Sequence, residues 1–330
     1  MPAYGRPELV ARTLRSVLEE PVRGVEIVVS DNSEDDASER VCRAMLDLGS
    51  GRHRYVRNRP NVGLVGNHNR CIELAAGEWM LILHDDDYLL TGAVRTIADA
   101  AEKADDDCMA MLFGVKVVDA DGRLLKRQFF GSERRLQPDE ALRHLMRNSS
   151  FVRPPAIVVR RAAYGRLGGF AEEMQGTIDI DMWSRLFPAF GVCCMPQVTA
   201  AYTVHPAALT TGVFEAGTIA RLNSIFDRLA REDILSESDA LRCRREFLHQ
   251  FILGGAYRRI RERDLQGAAR IMRLFALPHV RSLGVSFRWW PVRAAFSLLT
   301  AGSRGASAAN GAASIAREPR RAIPPRGRRG

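Results

Sequence analysis

The sequence is poor in lysine, has no cysteine framework and has no long apolar run, and each lack excludes something. No stretch approaches 18 uncharged apolar residues: the most apolar C-terminal piece, Trp289 to Thr300, is short and contains Arg293, so a spanning helix is not expected. The opening residues lack the pattern of a signal peptide, so none is expected. Cys42, Cys71, Cys108, Cys193, Cys194 and Cys243 show neither CxxC spacing nor the density of a disulfide framework, which predicts reduced, buried thiols inside a cell rather than disulfides or zinc ligation. No internal repeat is visible. What is present, 330 residues with 46% apolar and 26% charged side chains, suffices for one large α/β domain or two smaller ones and excludes a miniprotein, a coiled coil or a collagen-like fibre.

The net charge of +9 is unevenly spread. Residues 241–330 hold 19 Arg, no Lys and four acids (Glu246, Glu262, Asp264, Glu318), a balance of +15 that leaves −6 for residues 1–240. An acidic body with a basic end reads as an enzyme beside an anionic surface better than as a nucleic-acid reader, because the basic segment lacks interleaved aromatics outside Trp289–Trp290. The lysine shortage, 3 of 48 basic residues, is attributed to genome composition.

From residue 1 to about 120, short β-branched runs alternate with helical periodicity, the pattern of βαβ units on a mostly parallel sheet. Helices are predicted over Glu8–Leu18, Cys42–Leu48 and Gly63–Ala76, and strands over Val25–Val29, Tyr55–Asn58 and Trp79–Leu83. Met109–Val118 and Leu124–Phe130 flank an Asp121-Gly122 turn and predict a hairpin. Pro155–Arg160 and Val198–Val204 read as strands and Asp179–Phe187 as a helix; beyond Gly217 the apolar stripes Ile219–Leu229, Ala240–Ile260 and Leu265–Phe275 are all helical. Residues 1–215 are expected to form the catalytic domain, divided near 120, with a basic helical region at 216–300 and a disordered Arg/Pro/Gly-rich tail at 301–330.

Ligands of open α/β sheets collect at the carboxyl ends of strands, where Asp31 and the run Asp85-Asp86-Asp87 both fall. Three adjacent carboxylates repel one another, and a divalent cation is the natural compensation; oxygen ligands favour Mg²⁺ or Mn²⁺ bridging to substrate phosphates. A solvated acidic turn capping the next helix is the alternative.

Six motifs follow in order: Pro2-Ala3-Tyr4-Gly5-Arg6-Pro7-Glu8; Glu26 to Ser33; Asn61-Val62-Gly63 with Asn67-His68-Asn69; Gly77 to Leu89, containing His84-Asp85-Asp86-Asp87; Gly168-Gly169-Phe170; and Asp179-Ile180-Asp181-Met182-Trp183-Ser184-Arg185-Leu186. Over residues 2–210 this series resembles glycosyltransferase family 2, inverting nucleotide-sugar-dependent enzymes of the GT-A fold. The resemblance implies a Rossmann-like mixed α/β sheet flanked by helices, with a C-terminal helical extension. It implies that Tyr4 and Asp31 contact the nucleotide base, that Asp86 holds the metal on the diphosphate, and that Asp85 or Asp87 assists through ribose or water. His205 resembles a late histidine that completes the metal or diphosphate site, giving a metal set of Asp86, Asp87 and His205. Asp179 matches the general base that deprotonates the acceptor hydroxyl, with Asp181 the competing acid.

The departures from the pattern are His84 in place of the first motif Asp, His68 in place of a frequent Arg, Ile178 in place of a Glu, and the lack of an apolar strand ahead of Pro2, which predicts a true start upstream. The expected partners are a UDP- or dTDP-sugar donor and a cell-envelope, polysaccharide or lipid-linked acceptor, with no nucleic acid. The expected location is cytoplasmic, at the inner face of the membrane, with Trp289, Trp290, Phe296 and Leu298 meeting lipid. A nucleotide-sugar-binding relative without catalysis is the competing reading.

Overall fold

The computed structural model describes residues 1–47, 49, 52–205 and 212–301. The chain begins with β1 (Pro2–Ala3), then α1 (Pro7–Leu18), β2 (Glu26–Asp31), α2 (Ala37–Asp47), β3 (Arg52–Arg57) and α3 (Gly63–Leu74). Proline at the first helical position and Glu8 in the first turn start α1, and Val10, Thr13 and Leu14 recur at helical spacing on its buried face. Strands β1, β2 and β3 form a parallel sheet, with Ala3 opposite Asp31 and Glu26 opposite Arg52.

Next come β4 (Trp79–Leu81), β5 (Tyr88–Leu89), α4 (Ala93–Lys103), β6 (Ala110–Asp119), β7 (Leu124–Gln128), β8 (Arg134–Leu136), α5 (Pro138–Arg147), β9 (Ile157–Arg160), α6 (Arg161–Leu167), α7 (Ile178–Phe190) and β10 (Val192–Val204). Their strands form a second sheet in the order β4-β9-β6-β10-β5, with β7 added to β6 and β8 to β10. The predicted hairpin is β6–β7, turning at Gly122 with φ +78°. The mostly parallel expectation holds for the first sheet only: β6 and β10 run parallel, and the other pairings of the second sheet are antiparallel. Strand β10 is buried through Thr199–Thr203 and ends beside the acidic turn, Leu89 facing Ala200.

Strand β1 runs along β2, and the Met1 amine donates to Val28 O at 2.7 Å. A cavity of about 350 Å³ is lined by Met1, Ile27, Trp79, Leu81, Leu83 and Val158, with Arg23 and Glu26 also in its wall.

Helices α8 (Ala216–Arg231), α9 (Glu237–Arg261), α10 (Leu265–Met272), α11 (Pro278–Arg281) and α12 (Trp290–Ala301) complete the described chain. Two compact units divide it, Met1–Gln250 and Phe251–Gly330, so α8 and the first half of α9 belong with the first unit rather than beginning a second at 216. In the first unit Phe226 of α8 meets Phe247 of α9 edge-on, ring centroids 5.8 Å apart. In the second, Tyr257 stacks on Phe296 and the Arg293 guanidinium lies over Phe275. Among the described residues no helix is long and apolar enough to cross a membrane. The predicted tail, Ala301 apart, lies outside the described residues.

Candidate active site

A cavity of about 330 Å³ opens where β1, the turn after β4, the end of β10 and the start of α7 converge. Tyr4, Arg6, His84, Asp85, Asp86 and Asp179 are among its lining residues. A larger cavity, about 460 Å³, lies at the opposite ends of β2 and β3 near Glu26 and Arg52, away from the carboxyl ends where this sheet type binds ligands.

Helix α1 pins the acidic turn. Thr13 Oγ1 donates to the carbonyls of Asp85 and Asp87 at 3.0 and 2.5 Å, and Arg12 bonds Asp86 O and, at 3.2 Å, Thr203 Oγ1. Gly5, at φ +62°, adopts the left-handed conformation that turns the chain, and the next residue, Arg6, forks onto two carboxylates. One guanidinium nitrogen pairs with Asp85, the other with Asp86 at 3.0 Å. His205 Nε2 reaches Asp86 at 3.1 Å from the end of β10. The repulsion foreseen for three adjacent acids is thus met in part by Arg6 and His205.

The three carboxyls titrate apart. Burial pushes Asp85 up to about 6 despite Arg6, with Asp86 adding to the rise. Burial also raises Asp86, but His84, Arg6 and His205 outweigh it and hold that group below the usual range. Asp87 is pushed well up by burial and by Asp86. One Asp87 oxygen accepts from Thr203 N at 2.8 Å, whereas Oδ2 is buried with no hydrogen-bond partner among the described residues.

Single ligand atoms of His84, Asp86 and Asp87 lie within 4.8 Å of one another. This set differs from the expected Asp86, Asp87 and His205 by exchanging one histidine for another; His205 contacts the cluster through Asp86. An orphaned buried carboxylate oxygen beside an imidazole and a second carboxylate fits a divalent cation. His68 Nδ1 lies 2.8 Å from Leu64 O, which can only accept, so Nδ1 carries the proton. Burial, then His84, depresses His68 to about 3, so it is neutral and accepts at Nε2 from His84 Nε2–H, 3.3 Å away. That assignment leaves the Nδ1 lone pair of His84 for a cation.

Asp179 and Asp181, two residues apart on α7, face different surroundings. Asp179 lines the cavity in the first turn of the helix, and no hydrogen bond or ion pair engages its carboxylate among the described residues; burial raises its pKa. Asp181 is buried against two arginines, Arg185 at 2.9 Å and Arg228 at 3.2 Å. Asp181 is thus held in two ion pairs and does not line the cavity, whereas Asp179 does.

Asp31 also departs from expectation. Its Oδ1 accepts from Ser33 N and Oγ, its Oδ2 from Tyr55 Oη at 2.7 Å, and it does not line the cavity. Tyr4 does line it, 51% exposed, with its ring free to stack.

Several motif residues hold this arrangement without facing the cavity. Asn69 clamps Phe170 through both backbone groups, Oδ1 accepting at 2.7 Å and Nδ2 donating at 2.9 Å, so close to Gly169 that a Cβ there would lie 2.5 Å from Oδ1. Arg185 ties the same segment to α7 through the carbonyls of Leu167 and Gly169. Phe170 then packs edge-on against His68, and His68 against His84. Sequence reasoning assigned no role to Arg6, Asn69 or Arg185, although all three stand inside the quoted motifs; nothing in the sequence tells which acid a given arginine meets.

Comparison with known proteins bears on the family and the fold. Residues 1–168 match the glycosyl transferase family 2 profile. An uncharacterised protein of Mycobacterium tuberculosis (strain CDC 1551 / Oshkosh) is 31% identical over 224 residues, 64% of this chain and 68% of that protein. The GalNAc(5)-diNAcBac-PP-undecaprenol beta-1,3-glucosyltransferase of Campylobacter jejuni is 32% identical over 127 residues, 38% of this chain and 40% of its own length. In fold the chain is similar to Staphylococcus aureus TarS residues 1–349, with a TM-score of 0.58 at 15% identity over 90% of both chains. It is also similar to the Pyrobaculum calidifontis mannosyltransferase solved with GDP-Man and Mn²⁺, with a TM-score of 0.53 at 17% identity, covering 91% of this chain and 84% of that one. The chain is a GT-A-fold glycosyltransferase and belongs to glycosyltransferase family 2.

Proposed function

We propose that the protein transfers a sugar from a UDP- or dTDP-sugar, with inversion, to a cell-envelope, polysaccharide or lipid-linked acceptor, Asp179 acting as the general base. The observation that carries this reading is one unpartnered carboxylate of raised pKa facing, across a cavity, a turn suited to a cation and a diphosphate. An acceptor hydroxyl is a poor nucleophile near neutral pH, so Asp179 takes its proton as it attacks the anomeric carbon. Attack opposite the leaving group inverts that centre.

Tyr4 stacks on the base, and Asp85 assists at the ribose. Arg6 lies where it can turn from the carboxylates to the donor's phosphates. His84, Asp86 and Asp87 would hold the cation, and the imidazole among them favours Mn²⁺ over Mg²⁺. A divalent cation bound there supplies charge neutralisation for the departing nucleotide diphosphate. A lipid-linked acceptor is supported by the Campylobacter relative, whose name places its acceptor on undecaprenol. It is supported also by the second unit, which exposes Phe287, Trp290 and Leu298 as well as Arg281 and Arg288, although Trp289 and Phe296 are half-buried.

The test is thermal stabilisation by UDP, GDP, dTDP and CDP, each with Mn²⁺ and with EDTA. A nucleotide at about 100 times its dissociation constant stabilises by about 2.7 kcal/mol. The expected result is a metal-dependent shift with a uridine or thymidine nucleotide, retained in Asp179→Asn while sugar transfer is lost. Stabilisation by none of them would overturn the reading. Sedimentation with anionic but not zwitterionic vesicles is expected of the second unit's surface.

A further inference from the structure

At the end of the second sheet opposite the active-site cavity, Cys108 and Cys193, 85 residues apart in sequence, bring their sulfurs to 2.8 Å. Cys108 stands just before β6 and Cys193 near the start of β10, strands held parallel with Cys193 opposite Met111. That separation is well inside van der Waals contact of two sulfurs, and closing to the ~2.05 Å of a disulfide requires less than 1 Å of further approach. Both thiols line a cavity of about 370 Å³ together with Lys103, Asp105 and Glu133.

We propose that Cys108 and Cys193 form a thiol–disulfide exchange site that reacts with low-molecular-weight disulfides and closes an internal bridge. Cys193 is the attacking thiol. It is half-buried at the cavity wall, whereas Cys108 and the neighbouring Cys194 are buried. The Cys108 thiol donates to Cys193 Sγ and favours its thiolate; burial opposes, and Arg135, its cross-strand partner on β8, favours it further against the weaker opposition of Glu133 and Asp105. The net direction is a lowered Cys193, whereas burial pushes Cys194 up to about 12.

The Cys193 thiolate attacks one sulfur of the small disulfide, forming a mixed disulfide and releasing one small thiolate. Cys108, its proton passed to solvent, then attacks Cys193 Sγ and expels the second small thiolate. The two protein thiols are oxidised and one small disulfide is reduced to two thiols, so electrons and atoms balance. The bridge joins the starts of two parallel strands, roughly 30 Å of strand rise from Thr203. It therefore acts on the stability of the sheet rather than on the sugar-transfer cavity.

The full native chain is equilibrated with oxidised and reduced glutathione, and intact mass, the cross-linked peptide and Tm are read. The expected result is a loss of two hydrogen masses, a Cys108–Cys193 peptide, and a rise in Tm of roughly 5–10 °C that dithiothreitol reverses. Cys193→Ser should form no bridge, and Cys108→Ser should stop at one glutathione on Cys193. Failure of the wild-type chain to form the 108–193 bridge at ratios that oxidise a free dithiol peptide would overturn the proposal. So would a bridge to Cys194, or a Cys108→Ser chain with Cys193 unmodified.

Discussion

The two walls of the active-site cavity solve the problem of buried acid in opposite ways. On the acidic turn Asp85 and Asp86 share Arg6, Asp86 also meets His205, and Asp87 takes a backbone N–H from Thr203. At the start of α7, Asp179 lines the cavity with no hydrogen bond or ion pair among the described residues, and two residues later Asp181 is locked between two arginines. On the turn, Asp86 alone is held below the usual carboxylate range, by His84, Arg6 and His205, neighbours that a ligand could displace. A carboxylate that must take a proton is better left without a partner, because each hydrogen bond to its charged form lowers its basicity.

The largest effect that tests this contrast is Asp179→Asn, which should lower turnover about 10²–10⁴-fold with little change in nucleotide affinity, as steady-state kinetics and nucleotide titration would show. The rate in the wild type should rise with pH through a pKa above the 3.8 of an ordinary Asp, since the raised group must be ionised to act as base, and that limb should vanish in the variant. Asp181→Ala, by leaving Arg185 and Arg228 without their buried partner, should cost about 3–5 kcal/mol of stability in urea unfolding. If Asp181→Ala instead kept its stability and lost turnover, the roles assigned to the two aspartates would be reversed.

Arg6→Gln should free Asp86 for a cation. Mn²⁺ affinity without nucleotide should then tighten by roughly tenfold, about 1.4 kcal/mol, by calorimetry. A weaker Mn²⁺ affinity would mean that Arg6 supports the cation site rather than competing for it.

A further effect concerns Asp85. Its folded pKa of about 6 exceeds its unfolded one, so the folded chain binds the extra proton and ligand-free stability should fall as pH rises from about 4 to 6. The loss is at most about 3 kcal/mol, and it should be absent in Asp85→Asn.

Much of the fold was legible because its signals are local. The periodicity of Val10, Thr13 and Leu14 marks α1, and the Asp121-Gly122 turn marks the β6–β7 hairpin. The ordered motifs located the acidic turn and α7, and with them the family. Strand direction in the second sheet was less legible, since β4, β9 and β5 pair with partners tens of residues away and short apolar runs carry no sign of orientation. The residue roles divided in the same way. Tyr4, Asp85, Asp86 and Asp179 lie at the cavity where their motifs suggest, whereas Asp31 and Asp181 turn inward because Tyr55, Arg185 and Arg228 reach them from other elements.

By itself, then, the sequence determined the elements, the acidic turn at a strand end and the asymmetry of charge, all of which depend on neighbours within a turn or a strand. Tertiary structure alone decided which of these carboxylates have ion-pair partners among the described residues, that His84 comes near Asp86 and Asp87 while His205 reaches Asp86, and that Cys108 meets Cys193. Each of those facts rests on contacts between residues far apart in sequence, and Coulomb and hydrogen-bond energies depend on distance in space, which no local pattern encodes.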